Sequence, residues 1–146
     1  MKIIVEDNKF TDDIEVVIKG PKSDDTVKEI YKSLLYFQST IIGKSSERNY
    51  NLSLNNIYYF ESVDNKTFAY DKDKVFEVNQ RLYQLELSLK HTPFLRVNKN
   101  TIINTRKIMS FKHTINGRME ATLKNGEKMK ISRNYVADLK SKLGGE

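Results

Sequence analysis

The sequence has no cysteine, no tryptophan, two prolines and two histidines in 146 residues. Without cysteine, disulfides, thiolate metal sites and cysteine nucleophiles are excluded. His91 and His113 lie far apart, without the HExxH spacing of a metalloprotease. No GxSxG, Gly-rich phosphate loop or DxDxDG calcium loop occurs. No catalytic, cofactor or metal constellation is therefore read from the chain, and it is expected not to be an enzyme. No apolar run approaches the about 20 residues of a membrane span, and MKIIVEDNKF is too short and too acidic for a secretory signal. The expectation is a soluble, cytoplasmic protein.

Acidic residues are scarce in one place. From Phe94 to Arg133 the basic residues are Arg96, Lys99, Arg106, Lys107, Lys112, Arg118, Lys124, Lys128, Lys130 and Arg133, against only Glu120 and Glu127. That is a local charge of +8 in a chain whose total is +6, so the remainder is net −2. A basic surplus confined to one segment is the electrostatic footprint of a polyanion-binding face. A lysine-rich surface kept for solubility alone is the competing explanation.

In chain order, Lys2–Glu6 and Ile14–Lys19 read as short strands about the turn-rich DNKFTDD. MKIIVEDN resembles the start of a phospho-receiver domain, but the basic segment begins too soon to leave room for one. After Gly20-Pro21, Ser23/Asp24 and the Thr26-x-x-Glu29 spacing predict a helix start. Val27, Ile30, Tyr31, Leu34 and Leu35 form its apolar stripe. Residues 1 to about 38 thus read as a small, mildly acidic ββα unit. From Thr40 on, TIIGK, YNLSL, IYYFES, KTFAY and KVFEV are strand-like, with Asn55-Asn56, Asp64-Asn65 and Asp71–Asp73 at turns. Alternation places most of their tyrosines and phenylalanines in the core and not on a base-stacking platform. One helix, marked by Val78, Leu82, Leu85 and Leu89, ends before Pro93. Five more strands follow within Phe94–Ser132, with Asn116-Gly117 and Asn125-Gly126 as type I′ hairpin signals. A last helix runs from about Arg133 to Leu143, with Ser132 as N-cap and Gly144 as stop. The fold class expected is mainly β with short helices.

Within Arg96–Asn104 the polar knot Asn98-Lys99-Asn100 separates two apolar runs and reads as a loop with Lys99 and Asn100 projecting. Lysine can pair with guanine acceptors or phosphate, and asparagine with adenine. Arg133 opens a helix, a poor position for a cation unless an anion offsets the dipole, as a phosphate would. In both places an ordinary solvated side chain is the alternative.

These residues resemble a family. Ile57-x-Tyr59-x-Glu61, the LYQLELSL helix, Phe94-x-Arg96-Val97-x-Lys99-x-x-Ile102-Ile103-Asn104 and Leu123-x-Asn125-Gly126-x-x-x-x-Ile131-Ser132-Arg133-x-Tyr135 are similar to the LytTR DNA-binding domain of bacterial transcription regulators. The resemblance covers about residues 45–143. It implies small antiparallel sheets whose loops enter successive major grooves of double-stranded DNA, recognition of paired direct repeats, and no cofactor. By position it implies contacts at Lys66 or Thr67, at Lys99 and Asn100, and at Arg133. With the other assigned cations, Arg96, Arg106, Lys124, Lys128 and Lys130, these make the expected interface, Lys124 and Lys128 lying on phosphate. Asn98 and Asn100 depart from the histidine and serine usual in the family.

Residues 1–45 are then an accessory or homodimerisation element and 46–146 the DNA-binding domain. The chain looks like the stand-alone regulators, which are thought to answer to a membrane-bound partner protein. A single-strand nucleic-acid binder and a non-catalytic protein-interaction module are the rival readings.

Overall fold

The computed structural model describes residues 1–144. Helix α1 (Asp25–Gln38) is followed by β1 (Thr40–Ser45), β2 (Arg48–Ser53), β3 (Tyr59–Val63), β4 (Lys66–Tyr70) and β5 (Val75–Val78). Then come α2 (Leu82–Ser88), β6 (Phe94–Asn98), β7 (Thr101–Asn104), β8 (Ile108–His113), β9 (Met119–Leu123), β10 (Lys128–Ile131) and α3 (Arg133–Lys142). Seven strands form one antiparallel sheet in the order β2-β1-β5-β4-β3-β7-β6, and three form a second, β10-β9-β8.

The two-residue period of β3 and β7 builds both sides of the core. Phe60 pairs with Ile102, and both join the cluster of α2 (Leu82, Leu85) and Tyr36 of α1. One residue along, Tyr59 pairs with Ile103, and these face Met119, Leu123, Ile131 and Leu139 of the small sheet and α3. A one-residue slip would exchange the two faces, so burial on both sides fixes the register. Wholly buried Asn104 pins the layers together. Its amide donates to Ile57 O (2.9 Å) and Tyr36 Oη (3.2 Å), while its Oδ1 accepts from the Arg106 backbone (3.1 Å).

Several expectations need correction. Lys2–Glu6 and Ile14–Lys19 form no strands, so the expected ββα unit is a single helix preceded by an arm without helix or strand. Both segments have strand composition, but a strand also needs a partner and a surface to cover, and of residues 1–24 only Ile18 is even half-buried. Second, α1 is capped by Asp24, whose carboxylate accepts from the Thr26 and Val27 amides. Thr26 already lies inside the helix and starts no capping box. Third, only one Asn-Gly pair forms the expected turn. Asn116 and Gly117 both have positive φ (61° and 74°), whereas at the other turn only Gly126 does (φ 91°). There Leu123 N bonds Glu127 O, closing a three-residue loop that needs one left-handed residue, not two.

The β1–β2 hairpin turns at Ser46-Glu47, so a boundary after residue 45 falls inside that turn and β1 belongs to the large sheet. Val78, expected in the middle helix, closes β5. Of the aromatics that might have formed a stacking platform, Tyr58, Tyr59, Phe60 and Phe76 are buried.

Candidate nucleic-acid interface

Strand pairing carries several turns to one end of the molecule. Antiparallel β3 and β7 put the β3–β4 turn (Asp64-Asn65) beside the β6–β7 turn (Lys99-Asn100), where Ser62 N donates to Asn100 O (2.9 Å). A register shift between Arg96 and Asn98 turns Val97 O toward the small sheet, where it accepts from Ser132 N (2.9 Å). Asn98 Nδ2 donates to Lys130 O (3.0 Å), and its Oδ1 accepts from Asn100 N (2.9 Å). Asn98 is therefore an internal brace that ties the turn to β10. Its place in the knot does not make it a free reader.

The α3 start and the β8–β9 turn complete this end. The Arg133 stem lies against Gly117, where a Cβ would meet its Cγ and Cδ at 3.1 Å. Arg118, Lys130 and Arg133, with Asn116, Ser132 and Asn134, line a groove of about 490 Å³ in which no acid takes part. Among the described residues none of Lys99, Arg118, Lys130 and Arg133 forms an ion pair. The first turn of α3 has no acidic residue and the Ser132 side chain makes no cap bond. Cations and unsatisfied helix N–H groups thus converge on one solvent-open groove, a ready seat for phosphate or an acceptor edge.

The expected residues divide accordingly. Lys66, Lys99, Asn100, Lys130 and Arg133 belong to this end and are exposed, Lys66 sharing Glu77 at 4.0 Å. Thr67 must be corrected: it is 3% exposed, inside the sheet between Ser62 and Val78, and presents nothing to a duplex. Arg96 is present but engaged, its guanidinium bonded to the Asn98 and Lys99 carbonyls and to Glu86. Lys128 shares the exposed face of β10 with Lys130. Lys124 and Arg106 lie at the opposite end, where Lys124 N meets Lys107 O (2.9 Å) and Asn125 Nδ2 meets Lys72 O (3.3 Å). Arg106 sits over the Tyr36 ring at 5.5 Å. Lys107 lies over Tyr58 at 5.1 Å, and burial, helped by Lys124, lowers its ammonium pKa.

Arg118, absent from the expected interface, lines this groove, although only the Asn116-Gly117 turn beside it was legible. Its approach to Arg133 depends on β8–β9 pairing and on α3 packing. His91 and His113 are both exposed, and no group of three or more metal-ligating side chains occurs among the described residues. No helix among them is long and apolar enough to cross a membrane.

A β scaffold presenting cationic turns and an open helix start from one end has the layout of a polyanion-binding domain. The particular family follows from comparison: residues 47–144 match the LytTr DNA-binding domain, and the chain belongs to that family. It is 27% identical over 101 residues to the sensory transduction protein LytT of Enterococcus faecalis, covering 69% of this chain and 42% of that protein. Against the transcriptional regulatory protein LytR of Staphylococcus aureus (strain N315) it is 25% identical over 108 residues, covering 74% and 44%. The chain thus spans less than half the length of these two relatives. An uncharacterized HTH-type transcriptional regulator of Staphylococcus aureus is 26% identical over 128 residues, 86% of each chain. A match that long cannot fit within residues 47–146, so it reaches into α1. Among solved structures, a LytTr DNA-binding domain from Bacillus cereus superposes with a TM-score of 0.68 at 20% identity, over 73% of this chain and 98% of that one, which establishes the fold.

Proposed function

We propose that this chain is a cytoplasmic transcription regulator that binds double-stranded DNA sequence-specifically, its turn end entering successive major grooves. The acid-free groove of Arg118, Lys130 and Arg133 beside the projecting Lys99 turn carries this reading. Lysines and arginines on phosphate supply most of the affinity, while Lys99, Asn100 and Arg133 reach base edges. The relatives named as regulators support it. Selection of genomic fragments on the purified protein at physiological salt tests it. Recovery of two short direct repeats about 10 bp apart is expected. Enrichment without a motif, lost as salt rises, would reduce the basic end to a generic polyanion patch.

Paired repeats call for two copies, and residues 1–45 are proposed as the dimer contact. Of the exposed large hydrophobics, twelve of twenty lie within residues 1–42, including Val5, Phe10 and Ile14, each more than 90% exposed. Exposed apolar side chains in this number mark an interaction surface. A second copy would cover this surface and pair the strand-like arm. Replacing Val5, Phe10, Ile14 and Val17 by serine should halve the mass in light scattering. Two monomeric proteins would refute the dimer and leave the face to a membrane-bound regulatory partner.

A further inference from the structure

We propose that Arg96 acts as a positioning residue that sets the Lys99 turn, with Glu86 of α2 as its anchor, and that it does not contact phosphate. This rests on the DNA-binding reading of the turn end. Arg96 belongs to β6, yet its guanidinium folds forward over the turn that follows. Nε donates to Asn98 O (3.2 Å), Nη2 donates to Lys99 O, and Nη1 meets Glu86 Oε2 at 3.4 Å. One planar cation therefore spans two successive turn carbonyls and a carboxylate on a separate helix. A flat fork of five donors can do this, and a single ammonium cannot hold all three in one plane.

The Arg96 side chain is only 20% exposed, against 50% for Glu86, so the charge faces the turn and not the solvent. The turn is tied down on its other side as well, by Asn98 to Lys130 O and by Asn100 O to Ser62 N. Lys99 itself is exposed and unpaired among the described residues. Its backbone is fixed before any ligand arrives, so only the side chain is left to order on binding. Together these bonds link α2, β3 and β10 to the turn, and Arg96 with Glu86 is the part of that set that holds the Asn98 and Lys99 carbonyls.

Two substitutions separate positioning from phosphate contact because their predicted signs differ. Arg96→Lys keeps the charge and loses the fork. Positioning predicts about a tenfold loss of affinity for the selected site, with non-specific affinity and salt slope unchanged. Glu86→Ala removes an acid near the DNA. Positioning predicts weaker specific binding, whereas a phosphate-contacting Arg96 would be freed and would bind every sequence more tightly. A third readout needs no DNA: in Arg96→Lys the Asn100 amide, bonded to Asn98 Oδ1, should exchange faster, while those of β3 and β7 keep their protection. An undisturbed turn, unchanged specific affinity in Arg96→Lys, or tighter binding by Glu86→Ala would each overturn the proposal. If the unsubstituted protein prefers no duplex sequence, the DNA-binding reading fails instead, and the exchange result still decides whether Arg96 holds the turn.

Discussion

The two ends of the molecule are both basic, and they are not alike. At the turn end, exposed Arg118, Lys130 and Arg133 line an acid-free groove and Lys99 stands exposed on the neighbouring β6–β7 turn, each on backbone fixed by a turn, a strand or a helix start. At the other end, Arg106 and Lys107 lie against the rings of Tyr36 and Tyr58, and Asp71, Asp73 and Glu127 sit among the lysines. Cations whose charged groups lie over rings are part of the fold's own construction. Local surplus charge marks a segment as interesting, but pairing and exposure decide which of its charges are free for a partner.

The harshest break is to remove what holds both ends in one body. Phe60 is 0% exposed and pairs with Ile102 across the β3–β7 junction, so Phe60→Ala should cost about 3–5 kcal/mol and abolish binding with the fold. Denaturant melting measures the cost, and a loss below 1 kcal/mol would mean the core does not depend on this contact. Next in size, Arg133→Ala should cost about 1–3 kcal/mol at one base position and relax specificity there. Equal weakening on all sequences in a competition assay would move Arg133 from base to phosphate.

A finer contrast sets Lys130→Ala against Lys124→Ala. If the turn end carries the duplex, the first lowers the slope of log K against log salt by about one unit. The second should lower it by less, since Lys124 lies at the other end. Titration across three salt concentrations reads both, and equal slopes would place the DNA along the whole β9–β10 hairpin. The smallest effect belongs to Tyr59→Phe. The Tyr59 hydroxyl donates to Glu127 Oε2 (2.7 Å) and stacks its ring on Tyr70 at 4.3 Å, away from the turn end. Its loss should cost about 0.5–1.5 kcal/mol in thermal melts and leave DNA affinity unchanged. A change in affinity instead would show that the two ends are coupled through β3.

Much of this was legible in the chain. Strand composition and turn residues located most elements from Thr40 onward, because alternation and left-handed turn positions are local properties. The charge surplus marked the segment that holds the groove, and Ser132-Arg133 marked a helix start. Several of the site assignments were not decided locally. Thr67 looked like Lys66 in sequence but sits on the inward side of β4, Arg96 looked like a free cation but is spent on its own turn, and Lys124 was carried to the far end by the β9–β10 hairpin. Asn98 shows why: its partner Lys130 is 32 residues away, beyond the reach of any pattern in the knot itself.

The sequence alone determined a cysteine-free β domain with short helices, its turns, and a basic segment able to meet a polyanion. Tertiary structure decided which cations share one end and which are absorbed by rings and carbonyls. It also decided that Lys2–Glu6 and Ile14–Lys19, as strand-like in composition as the strands that form, pair with nothing in their own chain. The physical reason is common to all three. Propensity is a property of a few neighbouring residues, whereas register, burial and the competition for hydrogen-bond partners are settled between segments distant in the chain.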